Sequence, residues 1–106
     1  MTPEEFVRNV SDAIDHLMEL YAQGADGPTY LGMRLDALEL PGEQRAQVLE
    51  LFTMAVGEAT HSLICGLEGS CALGQSQHSY TLLDHDGNEL TGELGELHYK
   101  CLERGR

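Results

Sequence analysis

One segment decides the fold of this chain: EQRAQVLELFTMAVGEATHSLIC, residues 43–65. Its apolar residues recur at three- and four-residue steps, the spacing that places side chains on one face of an α-helix. They are Ala46, Leu49, Phe52, Val56, Ala59 and Leu63, and the stripe is widened by Val48, Leu51 and Ala55. This pattern predicts the most buried helix of the protein. Gly57 inside the helix costs about 1 kcal/mol relative to alanine, so we expect close backbone packing there.

The residues before this segment predict a second long helix. Thr2 and Glu5 form a capping box, Pro3 suits the first helical turn, and Gly24 provides the stop. Residues 28–41 form a weakly patterned stretch with turn signals at both ends, Gly27-Pro28 before it and Pro41-Gly42 after it. A short helix and an extended segment both fit this stretch.

The residues after the long helix predict a β-hairpin and a final helix. Glycines at positions 66, 69 and 74 end the long helix, and residues 78–83 have the composition of a strand. A turn at 84–88 and a returning strand at 89–91 complete a hairpin pattern. Residues 92–104 place leucines at helical steps, with Lys100 and Arg104 near the C-terminal end. We therefore predict an α+β fold with two long helices, a small β-hairpin or sheet and a C-terminal helix in one compact domain, residues 1–106.

The net charge limits the functions that the protein can have. The 106 residues include 18 Asp and Glu against 6 Lys and Arg, a formal net charge of -12. A body this acidic repels nucleic acid and anionic membranes and attracts cationic surfaces with fast, salt-sensitive association. The N-terminus is acidic, and no run approaches the roughly 20 apolar residues of a membrane span. We expect a cytoplasmic protein with a basic protein partner, no nucleic-acid partner and no membrane contact, although acidity that serves solubility alone fits equally well.

Acidic side chains and one tyrosine are the candidate contacts for such a partner. The acids cluster on the first helix, around positions 36–43, and in the C-terminal third. The predicted partner-binding residues are Asp12, Asp15, Glu19, Tyr30, Asp36, Glu39, Asp84, Asp86, Glu93 and Glu96. An ordinary solvated surface is the alternative explanation for each of them taken singly.

A second group of residues could form a metal-binding or thiol site. His61 and Cys65 have the i, i+4 spacing that puts two side chains on one helix face, and Cys71 follows in the glycine-rich loop. These residues could bind zinc or activate a thiol, although a histidine beside a small cysteine is more often structural. The turn from Asp84 to Glu89 alternates carboxylates but offers too few oxygens for calcium, and turn chemistry explains the same residues. We expect no catalytic residue, no metal and no cofactor.

Two stretches carry a resemblance to a group of known proteins: Thr60–Ser70, which contains Cys-Gly-Leu-Glu-Gly-Ser, and Leu82–Leu94, which ends in Gly-Glu-Leu. They resemble small acidic bacterial proteins in which a helix runs into a Leu-Asp-Gly-Ser-type turn and a hairpin leads to a Gly-Glu-Leu helix. Some of these look like the immunity proteins of secreted antibacterial toxins. Glu68 stands where the pattern has Asp. The similarity covers about the C-terminal half and transfers no functional residue.

The sequence therefore predicts a non-enzymatic protein-binding inhibitor, an immunity protein that neutralises a cognate toxin through an acidic surface. Acidic inhibitors bind basic clefts with strong electrostatic steering, which fits this expectation. Two alternatives remain open. One is a homo-oligomeric structural or regulatory domain, and the other is a small metal or thiol enzyme that uses His61, Cys65 and Cys71.

Overall fold

The fold is all-α in the part of the chain that the computed structural model describes, residues 1–104. Helices account for 66% of the structure, and no strand or sheet forms within the described residues. The predicted α+β class is therefore wrong. The elements are α1 (Pro3–Ala22), a short 3-10 turn (Gly24–Asp26), α2 (Tyr30–Ala37), α3 (Gly42–Glu68) and α4 (Leu94–Arg104).

The hairpin prediction is correct for its turn and wrong for its strands. The Leu83 and Glu89 backbones pair in a single isolated bridge, and Leu90 N–H donates to the Leu82 carbonyl at 2.8 Å. Farther from the turn, Tyr80 N–H donates to the Leu67 carbonyl at the end of α3 instead of to a facing strand. Residues 74–81 are all exposed, so they have no buried face to fix a register. A two-stranded hairpin without such a face is marginal at best in water.

The helix starts follow from local capping. Thr2 Oγ1 accepts a hydrogen bond from Glu5 N–H at 3.1 Å, which confirms the predicted start of α1. Thr29 Oγ1 accepts from Gly32 N–H at 3.0 Å and begins α2 in the same way. The stretch that fitted both a helix and an extended segment therefore contains a helix.

The described residues form two compact units. Unit 1 contains Met1–Asp12 and the described residues from Gly57 onward, and unit 2 is Ala13–Val56. The core of unit 1 consists of Val7, Ile64 and Leu94, with partly buried apolar side chains around them. Whether the whole chain behaves as the predicted single domain stays a prediction.

Unit 1 also explains the glycine in the middle of α3. Gly57 is buried, and a Cβ atom at this position would lie 2.9 Å from Cδ2 of Leu102 in α4. Close packing at Gly57 is thus confirmed, with a side chain of α4 as the neighbour. The predicted C-terminal helix is confirmed as well, beginning at Leu94.

Unit 2 is held by an aromatic contact and an ion pair. The rings of Tyr21 and Phe52 meet edge to face with centroids 6.3 Å apart. Arg45 donates to the Asp36 carboxylate through Nε and Nη2 at 3.3 and 3.1 Å, and to the Ala22 carbonyl at 2.9 Å. Leu35 is the buried leucine of this unit.

Helix α3 is far more exposed than its sequence predicts. Its buried residues are Gly57, Ile64 and Gly66, whereas Leu51, Met54 and Leu63 are each at least half exposed. The prediction of the most buried helix is therefore wrong. By length and composition α3 could cross a membrane, since it has 27 residues and its most apolar window has a mean hydropathy of 1.2. In the fold, 11% of that window is buried. One such helix is weak evidence of a membrane span.

Candidate functional site

An apolar groove with an acidic rim lies in unit 2, between α1 and α3. Its volume is about 390 Å³, and its apolar floor includes the half-buried Met18 and Leu49. Three exposed carboxylates, Asp15, Glu19 and Glu50, surround that floor. The remaining lining residues are Ala22 and Thr53. The structure thus brings two of the predicted partner-binding residues, Asp15 and Glu19, to one concave surface.

Both arginines of unit 2 have partners other than the three groove carboxylates. Arg45 is bonded to Asp36 and Ala22, and Arg34 lies over the Tyr30 ring at 5.9 Å and donates to its hydroxyl. The exposed His16 lies beside one of the groove carboxylates, with its Nδ1 3.9 Å from the Glu19 side chain. No Lys or Arg in the described chain forms an ion pair with the groove carboxylates.

The other predicted residues of unit 2 have different surroundings. Tyr30 is 69% exposed, and Glu39 is exposed with a φ of 53°, a left-handed conformation in which glycine would be less strained. Asp36 serves the fold, because it accepts from Ala25 N–H at 2.7 Å as well as from Arg45. The hydrogen bond from Ala25 lowers the pKa of Asp36, and the Arg45 guanidinium lowers it further.

The predicted residues of unit 1 are not assembled into one site. Asp12, Asp86, Glu93 and Glu96 are exposed. Asp84 instead closes its own turn: Oδ1 accepts from the backbone N–H groups of Asp86 and Asn88, both at 2.9 Å, and Oδ2 accepts from Asn88 Nδ2 at 3.0 Å. These bonds from Asn88, with a further contact from the Met1 amine, hold the pKa of Asp84 well below its usual range. The turn explanation for Asp84–Glu89 is supported because these carboxylate oxygens are already used.

Two of the three predicted thiol-site residues come together. His61 Nε2 lies 3.4 Å from Cys65 Sγ, as their i, i+4 spacing allows. The Cys71 thiol instead donates to the Ser62 carbonyl at 3.8 Å. The third member of the cluster is His98 from α4, whose Nδ1 lies 3.1 Å from Nδ1 of His61. No group of three or more potential metal ligands with metal-binding geometry occurs among the described residues.

The two imidazoles meet edge to edge. Their planes differ by 18° and their centroids are 5.3 Å apart. This separation exceeds the Nδ1–Nδ1 distance by about two ring radii, so the rings lie nearly in one plane with the two nitrogens between them. A hydrogen bond in this position needs one N–H and one bare nitrogen. One ring of the pair therefore donates its Nδ1 proton, and the Nδ1 atom of the other ring accepts it.

Glu68 organises the start of α4 beside this pair. Its carboxylate accepts from the backbone N–H groups of Gly92, Leu94 and Gly95, with distances of 2.8 Å to Gly92 and 2.9 Å to Gly95. A carboxylate at a helix N-terminus is stabilised both by these donors and by the helix dipole. Glu68, which stands where the resembled Leu-Asp-Gly-Ser turn has Asp, thus has a defined structural role.

We predict that acidification below pH 6.5 destabilises the fold through His98. This side chain is 1% exposed, and burial, followed by the charge of His61, lowers the pKa of His98 below its usual value of 6.5. The unfolded chain therefore binds the proton before the folded chain does, so the free energy of unfolding falls as the pH drops through this window. Urea unfolding midpoints between pH 7.5 and 5.5 measure the effect. His98→Asn should show a shallower pH dependence, and equal slopes would contradict the assignment.

Sequence reasoning missed several of these residues. Met18 and Glu50 belong to the groove but were not among the predicted contacts, although an acid beside an apolar stripe is a recognisable signal. His98 is 37 positions from His61, and no local pattern links the two.

Comparison of the chain with protein-family models, curated proteins and solved structures gave no match. The resemblance to immunity proteins therefore stays a prediction that rests on the quoted residues.

Proposed function

We propose that this protein is a non-enzymatic inhibitor that binds a basic protein partner through the acidic-rimmed groove of unit 2. The observation that carries the proposal is the combination of an apolar floor with three carboxylates that form no ion pair with a Lys or Arg of the described chain. The finer hypothesis is an immunity protein whose partner is a cognate toxin. It draws on the net charge of -12 and on the resemblance in the C-terminal half.

The chemistry of the groove favours a lysine or arginine side chain of the partner as its occupant. The aliphatic stem of such a residue can pack on Met18 and Leu49 while its charged head stays among the carboxylates. Charge-assisted hydrogen bonds to Asp15, Glu19 or Glu50 then fix its position. A volume of about 390 Å³ is enough for a small number of side chains. Long-range attraction by the acidic body adds to the association rate.

We predict that charge reversal in the groove weakens partner binding at least about tenfold. The test is capture of partners from native lysate by three forms of the protein, at low salt and at 0.5 M salt. They are the wild type, Asp15→Lys/Glu19→Lys, and the matched control Asp86→Lys/Glu93→Lys. Both variants change the net charge equally, and both replace residues that the sequence nominates. The captured protein is then purified to measure its affinity for each form and the inhibition of its activity.

The proposal expects a basic partner whose binding weakens in high salt, is lost in the groove variant and persists in the control. The partner's activity should also fall when the wild type is added in equimolar amount. Equal binding by the groove variant and the wild type would refute the groove. A partner whose activity is unaffected, or failure to capture any partner at either salt concentration, would refute the inhibitor proposal.

A further inference from the structure

We infer that Cys65 is a site of covalent modification by a small, uncharged carbon electrophile, with His61 as the base that takes the thiol proton and His98 as the residue that positions His61. The inference rests on a cluster within unit 1 that the proposed partner binding does not use. It stands or falls independently of the groove.

The geometry is that of a nucleophile, a base and an orienting group. The Cys65 thiol and His61 Nε2 are 3.4 Å apart, within the range of a hydrogen bond to sulfur. The other nitrogen of His61 is occupied by His98. A nucleophile bonded to a base that is itself held by a third side chain is the recurring arrangement of activated thiols and hydroxyls.

The proton positions follow from the shared Nδ1–Nδ1 bond. When His61 donates its Nδ1 proton to His98, its Nε2 is bare and can accept the thiol proton. His98 then carries its own proton on Nε2. The burial that lowers the pKa of His98 keeps this ring neutral, so it can act as an acceptor at neutral pH. His98 therefore positions the base without contacting the sulfur.

The contact with a histidine distinguishes Cys65 from the other two thiols. Cys71 bonds a backbone carbonyl, and Cys101 packs against the core of unit 1. All three cysteines are partly exposed, and the sulfur of Cys65 lies against Gly95 in the first turn of α4. A Cβ atom at position 95 would be 3.2 Å from this sulfur, so glycine leaves room for it.

The surrounding charges select the electrophile. Glu68 lies against the same face of Gly95, and the Tyr99 ring lies near His61, with ring centroids 6.2 Å apart. This negative carboxylate and the net charge of -12 disfavour anionic reagents. With iodoacetamide as the probe, the sulfur–carbon bond forms, the carbon–iodine bond breaks, iodide leaves and His61 Nε2 keeps the thiol proton. No oxidant or reductant is needed.

The test is the rate at which iodoacetamide labels each cysteine of the folded protein, measured by peptide mass spectrometry from pH 5.5 to 9. The inference expects Cys65 to react at least about tenfold faster than Cys71 near neutral pH, since general-base assistance typically contributes about a hundredfold or more. His61→Gln, which keeps a polar group at the Nε2 position but removes the base, should abolish this advantage. Far-UV circular dichroism verifies that each variant is folded.

Variants of His98 separate positioning from structural support. His98→Asn keeps an acceptor near the Nδ1 position and should retain most of the Cys65 rate, whereas His98→Leu should lose it and shift the pH profile of labelling upward. Should His98→Leu fail to fold, His61→Gln and His98→Asn decide the matter. A Cys65 rate no higher than that of Cys71, or an unchanged rate in His61→Gln, would overturn the inference.

Discussion

Replacement of Glu68 by alanine should lower the free energy of unfolding by about 3 kcal/mol, because three backbone donors lose their acceptor at once. The donors are the N–H groups of Gly92, Leu94 and Gly95, and no neighbouring side chain in the described chain replaces the carboxylate. Hydrogen bonds to a charged group are individually stronger than neutral ones. The measurement is equilibrium unfolding in urea at pH 7.

The matched control is Glu96→Ala. Glu96 is an exposed acid in the first turn of α4, so it experiences the same helix dipole without the three hydrogen bonds. Its replacement should cost less than about 0.5 kcal/mol. Similar losses in both variants would show that general electrostatics, and not the bonding of Glu68, stabilises this helix end. Glu68→Asp keeps the charge on a shorter side chain and should fall between the two.

The helices were predictable wherever the signal is local. The Thr2–Glu5 capping box and the Gly24 stop predict α1, and leucine spacing with a basic C-terminal end predicts α4. Helix α2 was undecided because its stretch is short and bounded by Pro-Gly signals, although Thr29 provides a cap. Caps act within three residues, so the sequence carries them in full.

The hairpin failed because its strands depend on distant groups. The Asp84 turn is encoded by neighbouring residues and formed as expected. The direction of the chain before it is set by the Leu67 carbonyl, which accepts from Tyr80 N–H. Turn chemistry therefore predicts a reversal of the chain, but not the length of the ladder that follows it.

In the candidate sites, too, local spacing is visible in the sequence, whereas contacts between distant residues are not. The i, i+4 spacing of His61 and Cys65 is visible in the sequence because both lie on one helix, whereas Cys71 is near them only along the chain and has another partner. His98 reaches the pair only through the packing of α4. For the groove, the sequence identified Asp15 and Glu19 as acids of one helix, and α3 then supplied Glu50 opposite them.

Truncation of two leucines distinguishes the core that the sequence predicts from the core that the structure has. Leu94→Ala should cost about 3 kcal/mol or more, because this side chain is 0% exposed and its removal leaves a cavity beside Val7 and Ile64. Leu51→Ala should cost less than about 0.5 kcal/mol, since Leu51 is 60% exposed. Urea unfolding of both variants under one set of conditions makes the comparison.

The comparison of Leu94→Ala with Leu51→Ala tests why the apolar pattern of α3 predicts more burial than the helix has. Leu51 lies on the widened apolar stripe. If that stripe formed the core, Leu51→Ala would lower the free energy of unfolding far more than the truncation of an exposed side chain does. Apolar residues cover more of α3 than its contacts bury, and periodicity alone does not tell which part of a broad stripe is packed. A loss at Leu51 comparable to that at Leu94 would place the core on the predicted stripe. A small loss leaves Leu51 as apolar surface on an acidic body, and the packed core of unit 1 around Leu94 then accounts for the difference between the two variants.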